Sequence, residues 1–388
     1  MSTRTTAKPD PERIPVEQFP ILNHGHYANH AAIAPWPRLT SEAVQRFASE
    51  NADIGPQGYG RWLQMERQLR RGLAKLINAA SADDIALLKN TTEGICTVAN
   101  GIDWQSGDNL VLPAGEFPSN RLPWLALQQQ GVEVREVDIL ATDNPEQALL
   151  GRMDGRTRLL AVSAVQWTDG LRLNLKALGS ACQGSNSLFF VDAIQHLGAM
   201  QMDVEGWGID FLAADGHKWL LSPEGIAVFY SRQSARGKLA LRQHGWRMTD
   251  NPYQFNRETW PPSATATRFE AGSPNMLGQV AMHASIGLLL QIGMQHVENY
   301  IADNSRTLSE SLAGLEGFEL VRPYDPQRIS GIVSFRPPDR DPQRLHRLLK
   351  EQHMTCAVRG DAIRLSPHFY QSGEPIQKIL TLIELAYT

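Results

Sequence analysis

Between about residues 85 and 231 the chain alternates apolar runs of strand length with stretches of helical character. The runs are IALLKN (85–90), NLVLP (109–113), VEVREVD (132–138), RLLAVSAV (158–165), SLFFVDA (187–193), DFLAA (210–214) and GIAVFYS (225–231). Helical segments fall between most of them: TTEGICTVANGI after the first, residues 119–130 closed by Gly131, and LNLKALGSACQ later. Strands apolar on both faces and separated by helices belong to a mainly parallel sheet covered on both sides. Upstream, Trp62, Met65, Leu69, Leu73 and Leu76 recur at three and four residues, one face of a helix.

The pattern changes after residue 232. Residues 244–274 are rich in Pro, Trp, Asn and Thr and read as a long irregular connection, of the kind that is usually functional or mobile. A helical stretch from Pro274 to about Leu315 follows, with Gly287 and Gly293 inside it. Shorter pieces, GIVSFR (331–336) and a helix at 341–352, suggest a smaller α+β domain. The expected division is a large domain over 24–285 and a small one built from 1–23 and 286–388.

Several classes drop out. With 37 Lys+Arg against 41 Asp+Glu the chain carries no basic field suited to nucleic acid or an anionic membrane. Cys96, Cys182 and Cys356 lie far apart, which excludes a disulfide scaffold and fits a reducing cytosol. The opening MSTRTTAKPDPERIP lacks the apolar core of a secretory signal. The apolar stretch around Ile286–Ile292 is far short of the ~20 residues that cross a bilayer. A cytoplasmic protein is expected.

No G-x-G-x-x-G, no G-x-x-x-x-G-K-[ST] and no H-E-x-x-H occurs. His24, His26 and His30 lack an acidic partner and are not expected to hold a metal. The informative segment is 187–230. Asp192 sits where an apolar strand runs out, and the carboxyl ends of parallel strands are where such sheets bind ligands. Lys218 follows the next strand-like run, with His217 and Gly216 beside it. A carboxylate and a lysine at neighbouring strand mouths suit pyridoxal phosphate (PLP): the lysine forms a Schiff base, and the aspartate keeps the pyridine nitrogen protonated. A helix-capping aspartate and a surface lysine fit this segment equally well.

The combination VDAIQ (191–195) and ADGHKWLLSPEG (214–225) resembles the class V aminotransferase group of fold-type I PLP enzymes, which includes cysteine desulfurases, kynureninases and isopenicillin N epimerase. Further similar segments are YANHAAIAPWP (27–37), NTTEG (90–94), EFPSN (116–120), RFEAGSPN (268–275) and AVRGDAIRLSPHFY (357–370). The resemblance implies a large domain with a mainly parallel seven-stranded sheet, a smaller α+β carboxyl-terminal domain and a homodimer with shared active sites. It assigns the Schiff base and the Cα proton to Lys218, the pyridinium nitrogen to Asp192 and the phenolic oxygen to Gln195. The phosphate falls to Thr91, Thr92 and His217, with Ser273 reaching it in the neighbouring subunit. Helix capping and core packing are alternative roles for the threonines and for His217. Phe117 would stack on the ring. Arg364 would grip the substrate carboxylate, with Arg359 a weaker candidate. His30 and Trp167 are expected beside the substrate.

Three departures bear on the reaction. Only Gly360, Asp361, Ala362 and Ile363 lie between Arg359 and Arg364, where desulfurases carry a sulfur-accepting cysteine, so persulfide transfer is not expected. Phe117 replaces a histidine that could move protons. Asp215 stands where desulfurases have a phosphate-binding serine and is expected to turn away. Transamination by an amino-acid-specific enzyme is the expected reaction. β-Elimination by a C–S lyase is the alternative, with epimerisation and kynureninase-like hydrolysis behind it. A catalytically silent binding protein is the rival class, and Lys218, Asp192 and Arg364 argue against it.

Overall fold

The seven apolar runs pair into one sheet. In the computed structural model, which describes residues 14–387, these are β1 (Ile85–Leu88), β2 (Asn109–Pro113), β3 (Glu133–Val137), β4 (Thr157–Ser163), β5 (Leu188–Asp192), β6 (Phe211–Asp215) and β7 (Ala227–Ser231). Their order across the sheet is β1-β7-β6-β5-β4-β2-β3. Six strands run one way, and β7 lies antiparallel to both its neighbours. This is the fold-type I arrangement. The polar amino-terminal stretch falls, through residue 13, outside the described residues.

Alternation along each strand explains why the sheet is covered twice. Leu160, Val162, Phe189, Val191, Leu212 and Ala214 enter one core, while Leu159, Ala161, Leu188, Phe190, Phe211 and Ala213 enter another. Successive side chains point to opposite faces, so a strand apolar at every position needs helices on both. On the second face the helix Thr91–Gly101 begins with Asn90, whose side chain accepts from the Glu93 N–H. Gly94 lets this helix close on the sheet: a Cβ there would stand 2.8 Å from the Ala213 Cβ and 3.1 Å from the Phe229 ring.

The carboxyl-terminal region carries a four-stranded antiparallel sheet, ordered Ala357–Arg359, Ala362–Leu365, Val333–Arg336, Glu319–Leu320. It has its own core, including Leu308, Phe335, Leu345, Ile363 and Ile379. The segment His26–Tyr27 pairs in parallel with Met354–Thr355, tying the beginning of the described chain to this region.

Two expected helices are broken. The stretch from Pro274 divides into Met276–Ile292 and Met294–Gly314, bent by 83° at Gly293, whose φ of +88° suits glycine. Residues 119–130 form tight 3₁₀ turns around a four-residue α segment, Leu122–Leu125, because Pro118 and Pro123 supply no N–H. Gly131 closes them at φ +79°, as its sequence position suggests. No single helix among the described residues is long and apolar enough to cross a membrane.

Gly94→Ala forces the helix away from β6. The expected loss is about 1–3 kcal/mol, the usual range for overpacking a close contact, read as a lowered midpoint in thermal or urea unfolding.

Candidate active site

The carboxyl ends of β1, β2, β4, β5 and β6 lie on one side of the sheet because these strands share a direction. Their following loops bring together Thr91, Phe117, Trp167, Asp192 and Lys218.

Lys218 follows β6 in a turn held from several sides. The Ala34 N–H donates to the His217 carbonyl at 2.7 Å, and the Leu221 N–H to the Lys218 carbonyl at 3.0 Å. Trp219 is fully buried, and its indole N–H donates to Gln195 Oε1 at 3.0 Å. Leu221 sits at φ +57°, a left-handed conformation that its buried neighbours hold in place. Lys218 itself is buried. Burial pushes its amine down to about 8, while the charge of Asp192 works in the opposite direction.

Asp192 ends β5, abreast of Ser163 on one side and Ala213 on the other. Its Oδ1 accepts the Ile194 N–H at 3.0 Å. Burial pushes its carboxyl up to about 6, against the pull of that hydrogen bond and of Lys218. A buried acid and a buried amine each shifted toward the neutral form are a pair ready to exchange protons with a ligand.

Several features fit PLP. The first N–H groups of the helix Thr91–Gly101 have no partner within the helix, which makes its start a seat for phosphate. Thr91 Oγ1 is buried there without a hydrogen-bond partner. Thr92 Oγ1 donates to Ser119 Oγ at 2.9 Å. The ring of Phe117 is 43% exposed, and its centroid lies 5.7 Å from Lys218 Nζ. An aromatic face left open beside a buried amine offers a flat ligand a stacking surface. Gln195 Nε2 donates to the Ala31 carbonyl at 3.0 Å, which leaves its second amide hydrogen for a ligand. Asp215 turns to His217, with Oδ1 and Nδ1 3.0 Å apart, which accounts for a carboxylate at this position.

The carboxyl-terminal sheet adds two arginines beside this cluster. Arg364 is 1% exposed; its Nη1 donates to the Trp167 carbonyl at 2.7 Å, and its Nε and Nη2 have no partner. Burial, and then the nearby charge of Arg359, push the Arg364 guanidinium down to about 9. Arg359 also keeps a buried Nε unpartnered and lies 5.9 Å from the Trp167 ring centroid. Unpaired guanidinium donors in a buried site call for an anion, and a carboxylate fits their fork. Trp167 meets Phe117 edge to face at 5.5 Å and donates its indole N–H to the Gly115 carbonyl at 3.0 Å.

The expectation for His30 needs correction. His30 is fully buried, with Nδ1 2.9 Å from the Ser366 carbonyl and Nε2 2.6 Å from the Tyr370 hydroxyl. The carbonyl can only accept, so Nδ1 carries the proton and Nε2 is occupied by Tyr370; the ring locks this junction instead of serving a substrate. Ser273 is exposed on the loop before Met276–Ile292, and no contact among the described residues draws it into the cluster. Sequence reasoning used Glu116 only as a landmark and missed Ser163 and Gln166, which surround it. The polar Ser163 at the end of an apolar strand was the available signal.

Comparison with known proteins adds the chemistry. A family model for class-V aminotransferases matches residues 26–369. A probable cysteine desulfurase of Methanothermobacter thermautotrophicus is 31% identical over 95% of this chain and 96% of its own. A cysteine desulfurase of Klebsiella pneumoniae is 30% identical over 82% of this chain and 80% of its own. Among solved structures, the cystine C–S lyase C-DES, in complex with its reaction product cysteine persulfide, superposes with a TM-score of 0.87 at 25% identity, covering 95% of this chain and 99% of that one.

These relatives overturn the expectation of transamination and the discounting of desulfurase chemistry. The physical reason is that both readings begin by removing the Cα proton. The residues that do so do not record what leaves Cβ.

The lowered Lys218 amine has a direct consequence. The rate at which cofactor-free protein captures added PLP is expected to rise through about pH 8, not above pH 10 as for an exposed lysine. Stopped-flow absorbance across pH 6–11 reads the midpoint.

Proposed function

This chain belongs to the class-V aminotransferase family of PLP-dependent enzymes, and from that premise we propose that it is a C–S lyase acting on cysteine or its disulfide, cystine. The buried Lys218 amine, opposite a guanidinium with two unpartnered donors, supports chemistry at Cα of an amino acid, and the likeness to the cystine C–S lyase C-DES and to cysteine desulfurases is the observation that carries the C–S lyase reading. PLP, held by Lys218, Asp192, Phe117, Gln195, His217, Thr91 and Thr92, supplies an electron sink for the pair left at Cα.

Every other part falls to the chain. Arg364 grips the α-carboxylate and so sets which substituent of Cα faces Lys218. The Lys218 amine takes the Cα proton, which a neutral amine does and an ammonium cannot. The Cβ–S bond then breaks and sulfur leaves with its bonding electron pair. The remaining three-carbon fragment hydrolyses to pyruvate and ammonia. Phe117 has no exchangeable proton, so Lys218 is the group that returns a proton.

For a C–S lyase the sulfur product is sulfide from cysteine, or cysteine persulfide from cystine, the product named for the similar C-DES. Cys182 and Cys356 are buried and Cys96 is partly exposed. A homodimer through 244–274 is part of the proposal, supported by exposed Tyr253, Phe255 and Trp260 on that segment; light scattering of the purified protein checks it.

Incubating the PLP-loaded protein with L-cystine and L-cysteine is expected to yield equimolar pyruvate and ammonia with persulfide or sulfide. L-Alanine with a protein-bound persulfide, or pyridoxamine phosphate with a keto acid, would refute the lyase reading. Lys218→Ala is expected to abolish turnover. Arg364→Ala is expected to raise KM by roughly 10–100-fold, the loss of hydrogen bonds to a charged group; steady-state kinetics checks both.

A further inference from the structure

Glu116 is buried at 4% exposure, and neither the cofactor nor the substrate role described above uses it. Its Oε1 accepts the Ser163 N–H at 2.8 Å and Gln166 Nε2 at 3.2 Å, and its Oε2 accepts the Ser163 hydroxyl. Asn120 Nδ2 reaches the same hydroxyl at 3.5 Å, and Asn120 Oδ1 accepts from the Trp124 indole at 3.0 Å. These partners are hydroxyl and amide groups, with no cation among them, and burial pushes the carboxyl up to about 7. A glutamate kept in such a place is expensive to bury. Core packing alone would be served as well by an apolar residue.

The partners indicate what the carboxylate holds. Ser163 stands abreast of Asp192 in the sheet, and the next N–H, of Ala164, donates to the Asp192 carbonyl at 2.9 Å. Gln166 precedes Trp167, whose carbonyl receives Arg364 and whose indole N–H returns to Gly115, just before Glu116. Phe117 is the next residue along the chain. One carboxylate therefore fastens the loop carrying the stacking ring to the loop carrying the anchor of the substrate arginine.

We propose that Glu116 is a positioning residue that sets the separation between the Phe117 stacking face and the Trp167–Arg364 carboxylate clamp, acting through Ser163 and Gln166. Both loops hang from strand ends and already meet through Trp167, at Gly115 and Phe117; a side chain accepting three hydrogen bonds at once narrows their separation further. The inference rests on the PLP site and on carboxylate capture by Arg364, not on which bond breaks afterwards.

Glu116→Met keeps a similar length and removes all three accepted hydrogen bonds. Ser163→Ala removes only the hydroxyl. Two equilibrium quantities are read by visible absorbance: the Kd for PLP, which reports the Phe117 seat, and the Kd of the loaded protein for L-alanine. L-Alanine has a carboxylate and no leaving group, so a failed lyase assay leaves this test intact. Each variant is expected to weaken at least one of the two by about tenfold, and the double variant to weaken it no further than the worse single one. A folded variant that melts earlier yet keeps both constants within twofold of the parent would make Glu116 purely structural and overturn the proposal. Should Glu116→Met fail to fold, Ser163→Ala decides by the same criterion.

Discussion

A lysine amine comes within reach of losing its proton near neutral pH only where water is largely excluded, and a nearby carboxylate opposes that shift. Lys218 and Asp192 stand in this balance. Burial lowers the amine, Asp192 opposes the shift, and Asp192 is itself raised by the same burial. The sheet creates the conditions. Parallel strands set both residues at the same edge, and helices on both faces keep that edge dry. The turn around Lys218 is held by the Ala34 N–H at the His217 carbonyl and by Gln195 at the Trp219 indole, so two segments distant in sequence fix the aim of one side chain.

Around this pair the site divides its labour between two layers. The large sheet offers the amine, the acid, the helix start and the stacking ring. The carboxyl-terminal sheet offers Arg364, which meets the large sheet at the Trp167 carbonyl. In the proposed reading, cofactor capture belongs to one layer, and recognition of the substrate carboxylate to the seam between the two. Fully buried His30 secures that seam from behind, bridging Ser366 and Tyr370.

The chemistry at Cβ is recorded differently from the chemistry at Cα. Lys218, Asp192 and Arg364 serve any reaction that starts from the Cα proton, so they cannot distinguish transamination from elimination. What distinguishes them is the fate of the group on Cβ, and here the named relatives, cysteine desulfurases and a cystine C–S lyase, carry the argument.

By itself the sequence determined the sheet, because runs such as RLLAVSAV and SLFFVDA are apolar at consecutive positions and need cover on both faces. It also marked Asp192 and Lys218, charged residues placed where apolar strands end. The break at Gly293 was less legible, since helical periodicity continues across it and only the backbone angle reveals the bend. Tertiary structure alone decided that His30 is locked away, that Asp215 turns to His217 and that Glu116 joins two loops. The first and the last depend on atoms from segments distant in sequence meeting at hydrogen-bond range, and the second on how the turn after β6 is folded. Local pattern encodes which face of an element is buried, but not which polar group is waiting on the other side.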